Sequence, residues 1–238
     1  MINKDRYTFI CSRRSDINGS ISGEIRPEVR ESLELPFGVM FPDFRKSLPL
    51  TTAAIEAEWP VPMATFKKFL GIWLCSLVSE KPDTNLFFGL CTVTEPTDGP
   101  VYELEHAMLP SSWKENYRFF DSFTISTDSV APTGWLNTPF NYASRMTLDS
   151  YRSYVGAKKT DARRFQETIG SNQLICWLLT DGGDALFLDE LRCDQKVYHI
   201  KNANFQDFCV LKNPNVTLDM YMAHVVSGNP PADFDFRA

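Results

Sequence analysis

Between residues 174 and 200 the chain is cut into three short apolar runs: Leu174–Thr180 (LICWLLT), Ala185–Leu191 (ALFLDEL) and Lys196–Ile200 (KVYHI). The first two are joined by Asp181-Gly182-Gly183-Asp184 and the last two by Arg192-Cys193-Asp194-Gln195. Brief runs rich in apolar, β-branched and aromatic side chains, separated by turn residues, are strands linked by hairpins. This stretch is therefore expected to form an antiparallel meander.

Helical signals flank it. Glu24–Leu35 (EIRPEVRESLEL) sets Pro27 for a first turn, with Val29 and Leu33 four residues apart. A short helix is expected around Asp43–Leu48, and another over Thr51–Trp59 (TTAAIEAEW), opened by a hydroxyl cap and stopped by Pro60 and Pro62. Met63–Glu80 (MATFKKFLGIWLCSLVSE) spaces Phe66, Phe69, Leu70, Trp73, Leu74, Leu77 and Val78 at helical intervals, which predicts a longer helix with Trp73 in the core. Leu86–Thr94 and Phe119–Ser126 read as strands, and the alternating Val101–Leu109 could pair with the first of them. Thr147 caps a short helix, Thr160 a second that closes at Gly170, and Asn215 or Thr217 a last one carrying Leu218, Tyr221, Met222 and Val225 on one face. The tail NPPADFDFRA is too short and polar to be a domain. The expected class is α+β: N-terminal helices, an antiparallel meander and a C-terminal helix, in one continuous globular unit with a helical portion over 1–80 and an α+β portion over 81–238.

Composition agrees with a packed chain. Among 238 residues 43% are apolar and 23% charged, enough to bury a core without metal or disulfide staples. Six cysteines contain no C-x-x-C pair, and the three histidines, His106, His199 and His224, fall in no metal-ligand spacing, so no cofactor or metal is expected. The first sixteen residues contain no apolar signal core and the longest apolar run, Phe69–Val78, is ten residues. The expectation is a cytoplasmic protein with no membrane segment. With 24 Lys+Arg against 30 Asp+Glu, a net charge of −6 and no basic tract, binding to nucleic acid is not expected, whereas a basic partner would be steered inward.

Chemistry-bearing motifs are sparse. G-x-S-x-G, the phosphate-binding G-x-x-x-x-G-K-[ST] and G-x-G-x-x-G are all missing from the sequence. The densest acidic group is Asp181, Asp184, Asp189 and Glu190. Its simplest reading is a pair of aspartates flanking a Gly-Gly hairpin that needs positive φ. The alternative is a small intracellular hydrolase using Asp181, Asp184 or Glu190 with His199. Aromatics in the turn-rich middle, notably Trp113 and Trp135, are candidate binding anchors.

The strand bearing Trp177, the turn Asp181-Gly182-Gly183-Asp184, the strand Ala185–Leu188 closed by Asp189, the strand around Val197 and the closing helix together resemble the SUKH superfamily. Phe41-Pro42-Asp43-Phe44-Arg45-Lys46-Ser47-Leu48 is similar to that family's opening proline-plus-aromatic helix. The resemblance implies an α+β bacterial immunity protein, catalytically inert, that neutralises a cognate protein toxin by direct binding. Asp181, Asp184, Glu190, Trp113 and Trp135 would then face a basic toxin, with no catalytic residue. A phage or structural assembly protein is a third reading.

Overall fold

A computed structural model describes residues 9–11, 35–40, 42–60, 63–69, 72–81, 84–90, 120–126, 146–180, 183–189 and 196–238. The expected helix at 24–35 and the strand Val101–Leu109 lie outside these residues, apart from Leu35, which is in a bend.

The described chain is α+β, with helices and two antiparallel five-stranded sheets. The first sheet runs β1 (Phe9–Cys11), β2 (Met63–Phe69), β3 (Ile72–Lys81), β4 (Thr84–Leu90) and β5 (Phe120–Ser126), in chain order. This overturns the helix expected over Met63–Glu80, and the helices of the N-terminal portion end at Glu58. β2 and β3 form a hairpin in which Phe69 pairs with Ile72, and β3 pairs in turn with β4. A run whose apolar residues fall at both helical and alternating intervals satisfies either period, so the pairing available on both sides decides.

Among the described residues three helices precede that hairpin: α1 (Phe37–Met40), α2 (Pro42–Ser47) and α3 (Pro49–Glu58). Phe37 and Phe44 meet edge to face, 5.3 Å apart, and both are buried. Gly38 fits because its backbone lies against α3. A Cβ there would stand 2.8 Å from Thr52 Cγ2, and the Gly38 N–H donates to Glu56 Oε1 at 2.9 Å.

The second sheet has the order β10-β9-β8-β7-β6, from β6 (Met146–Thr147), β7 (Leu174–Leu179), β8 (Ala185–Asp189), β9 (Val197–Ile200) and β10 (Phe208–Val210). β7, β8 and β9 are the three runs expected as a meander, and their residues are buried on both faces apart from half-buried Ile175. Alternation sorts them. Cys176, Leu179, Ala185, Phe187, Tyr198 and Ile200 join one core with Leu148 and Tyr151 of α4 (Leu148–Tyr154) and Ala162 and Phe165 of α5 (Lys159–Ile169). Leu186, Leu188, Val197 and His199 take the other face, where the His199 ring lies 5.0 Å from Phe236 and Phe236 5.0 Å from Tyr221 of α6 (Pro214–Val226).

Local signals set some helix ends. Thr147 caps α4 through Ser150 N–H at 3.2 Å, and Gly170 closes α5 in the left-handed region at φ 72°. Others differ from expectation. α5 begins one residue before Thr160 with Lys158 in the cap position, and α6 starts at Pro214 behind Asn213, neither with a side-chain cap. Among the described residues no helix is long and apolar enough to cross a membrane.

Candidate functional site

The Thr180–Asp184 turn between β7 and β8 closes by two backbone bonds, Thr180 N–H to the Asp184 carbonyl at 2.8 Å and Gly183 N–H to the Thr180 carbonyl at 2.9 Å. Gly183 sits at φ 84°, the positive value that the Gly-Gly sequence calls for. A second loop, after β9, braces the turn: Ala203 N–H donates to the Gly183 carbonyl at 2.8 Å and Asn202 N–H to Asp184 Oδ1 at 3.0 Å. Asn202 and Ala203 both hold positive φ, 47° and 58°. Such a conformation costs an L-residue of order 1 kcal/mol and persists where surrounding contacts dictate it.

Asp184 is therefore not the solvated turn acid expected to face a partner. It is 6% exposed, with Oδ1 also 3.2 Å from His199 Nε2. The hairpin and register explain this: Leu186 of β8 pairs with His199 of β9, which brings the ring back to the turn residue two positions earlier.

His199 is 1% exposed and both its ring nitrogens are engaged. Arg237 Nε donates to Nδ1 at 3.3 Å, so Nδ1 carries the lone pair and Nε2 the hydrogen, which it gives to Asp184. Arg237 is held in turn by Asp207, through Nη1 to Oδ1 at 2.6 Å and Nη2 to the carbonyl at 2.8 Å. That hydrogen bond, first, and the surrounding negative groups raise the Arg237 pKa further above its ordinary value, so its charge is permanent. The result is an alternating array, carboxylate, neutral imidazole, guanidinium and carboxylate, running from the β7–β8 turn to the C-terminal segment.

On the opposite face Tyr151 reaches the same turn, its hydroxyl 3.4 Å from the Gly183 carbonyl. Burial, with lesser contributions from nearby Cys176 and Asp184, pushes the Tyr151 phenol above its ordinary range, and burial alone pushes up Cys176. Cys176 and Cys209 are free thiols, and among the described residues no cluster of three or more His, Cys, Asp or Glu could hold a metal ion.

Of the expected site residues, the structure places Asp184 in this array, while Asp181, Glu190, Trp113 and Trp135 lie outside the described residues. The pairing of Asp184 with His199 was one arm of the hydrolase alternative. Arg237 and Phe236 were missed, because the tail reads as polar and its only apolar signal is Phe234-x-Phe236. Comparison with protein-family models, with curated proteins and with solved structures finds no match for the chain.

Proposed function

We propose that the chain is a non-catalytic, immunity-type protein that binds a basic protein toxin and occludes its active site. The observation that carries this reading is the bracing of the Thr180–Asp184 turn by the 201–207 loop and the Asp184–His199 pair. Thr180, Gly183 and Asp184, already held by these bonds, lose little freedom when this end of the sheet docks, which favours tight stoichiometric binding. Asp184 spends its carboxylate on that bracing and Asp189 is buried in β8, so Asp181 and Glu190 are the remaining acids of that group to meet a basic surface. The SUKH resemblance and the net charge of −6 point the same way.

The hydrolase alternative draws on the same Asp184–His199 pair, at 3.2 Å. It would require His199 to surrender its bond from Arg237 before Nδ1 could take a proton from a nucleophile. Both readings meet in one experiment. The purified chain is mixed with the product of a toxin gene encoded beside its own. A one-to-one complex by sizing chromatography, with loss of toxin activity, is expected. Reversing Asp181 and Glu190 to Lys should slow association and flatten its salt dependence. A toxin left fully active, or turnover of ester or phosphate substrates by the chain alone, would overturn the reading.

A further inference from the structure

The last nine residues form a strap whose two ends are fixed by different histidines. At its base His224 Nε2 lies 2.9 Å from the Pro230 carbonyl, and the Asn229 side-chain amide donates to the His224 carbonyl at 3.1 Å. The strap then makes a short 3-10 turn, Pro231–Asp233, and lays Phe234 and Phe236 against each other, 4.9 Å apart, and against Tyr221. At its far end Phe236 is 3% exposed over the His199 ring, and Arg237 bonds His199 and Asp207.

The two histidines differ in what protonation does to them. Since a carbonyl accepts only, His224 Nε2 is already the donor to Pro230, and a second proton on that ring leaves the bond intact. His199 Nδ1 is an acceptor toward Arg237, and a proton taken from solvent onto that nitrogen consumes its lone pair. An N–H then faces an N–H and a cation faces a cation at 3.3 Å.

From this asymmetry we infer that the C-terminal strap is an acid-released latch: it is seated while the His199 imidazole is neutral, and its far end lifts when that ring takes up a second proton. The groups facing His199 are Asp184 from the β7–β8 turn, Arg237 from the strap with its partner Asp207 from the 201–207 loop, and Cys209, its register neighbour on β10. From α6, Tyr221 packs on Phe236, which lies over the His199 ring. Asp184 is satisfied through Nε2 in either state, so it does not restore the lost bond on the other nitrogen. The base stays hinged at His224. The latch stands on its own geometry and does not depend on the immunity reading.

The test is backbone hydrogen exchange on the full chain at about pH 7.5 and about pH 5, corrected for intrinsic rates. Protection of residues 234–238 should fall by about tenfold or more in acid, while that of α6 holds. In His199→Gln, and in Arg237→Gln if the first variant does not fold, strap protection should no longer depend on pH. Equal strap protection at both pH values in the native chain would overturn the latch. So would loss of α6 protection in step with the strap, or acid release that persists in the variants.

Discussion

Helices α3 and α4 begin in opposite ways. α4 brings its own cap: Thr147 is three residues from the Ser150 N–H it accepts, and its hydroxyl also meets Ser150 Oγ at 3.0 Å. α3 begins after Leu48, which has no side-chain acceptor. Its first free N–H groups are taken by Asp219 of α6, with Leu50 N–H on Oδ2 at 2.9 Å and Thr51 N–H on Oδ1 at 2.8 Å. The Thr51 hydroxyl, expected from sequence to be the cap, instead donates to Asp219 Oδ1 at 2.8 Å. At the other end Trp59 Nε1 donates to the Val226 carbonyl at 2.9 Å, so the two helices run side by side in the same sense and serve each other's ends. One helix start is a local event and the other exists only once residues 168 apart have met.

Breaking the borrowed cap should give the largest effect. Asp219→Ala strands two backbone donors, one buried and one partly exposed, while the Thr51 hydroxyl keeps the Asp219 carbonyl at 3.1 Å, and at about 1–3 kcal/mol for each unsatisfied buried group the expected loss is about 2–4 kcal/mol by denaturant unfolding. Asp219→Asn keeps one carbonyl acceptor and should lose less. A loss below about 1 kcal/mol for the alanine variant would mean that water replaces the cap and that α3 is less dependent on α6 than its contacts imply.

A second experiment asks how local α4 really is, since Tyr151 anchors it in the same core as Cys176. Both groups have raised folded-state pKa values and are neutral when protonated. The unfolded chain therefore releases these protons first, so stability is fully present below the unfolded pKa values and is lost as pH rises past about 9 for the thiol and about 10 for the phenol. Each group steepens the loss by up to about 1.4 kcal/mol per pH unit. Cys176→Ala should make the alkaline limb of a stability-versus-pH curve shallower. A limb unchanged by that substitution would place the thiol's proton exchange in the folded state.

Smaller effects follow from the two local devices. Gly183→Ala meets only ordinary contacts, the nearest atoms being 3.5 Å away, so its cost is the positive φ alone, about 1–2 kcal/mol. Thermal unfolding would measure it, and a near-zero change would show that the turn readjusts. Thr147→Ala removes an exposed cap and should cost about 0.5–1 kcal/mol, well under the Asp219 variant. If the two capping variants cost the same, the distinction between local and borrowed helix starts has no energetic content.

The same distinction separates the two hairpins. β7–β8 is legible because Asp181-Gly182-Gly183-Asp184 is a strong turn signal between runs of strand length, and Gly183 takes the backbone conformation the sequence demands. β2–β3 has only Leu70-Gly71 between its strands, in a run where helical and extended periods both find apolar residues. The site divides likewise. Asp184 was singled out as a turn acid, but its burial follows from a loop 18 residues on and from Arg237, 53 positions away, in a segment with little apolar character.

The α+β class, the meander from Leu174 to Ile200, the cap at Thr147, the left-handed stop at Gly170 and the apolar face of α6 are legible in the residue order alone, because their signals lie within a few residues. Contacts distant in the chain decide that Met63–Phe69 and Ile72–Lys81 are extended, that Asp219 starts α3, and that Asp184, His199, Arg237 and Asp207 form one array. The reason is the same in each case: a buried polar group or an ambiguous apolar run takes the state in which its hydrogen bonds are met, and those partners lie far along the chain.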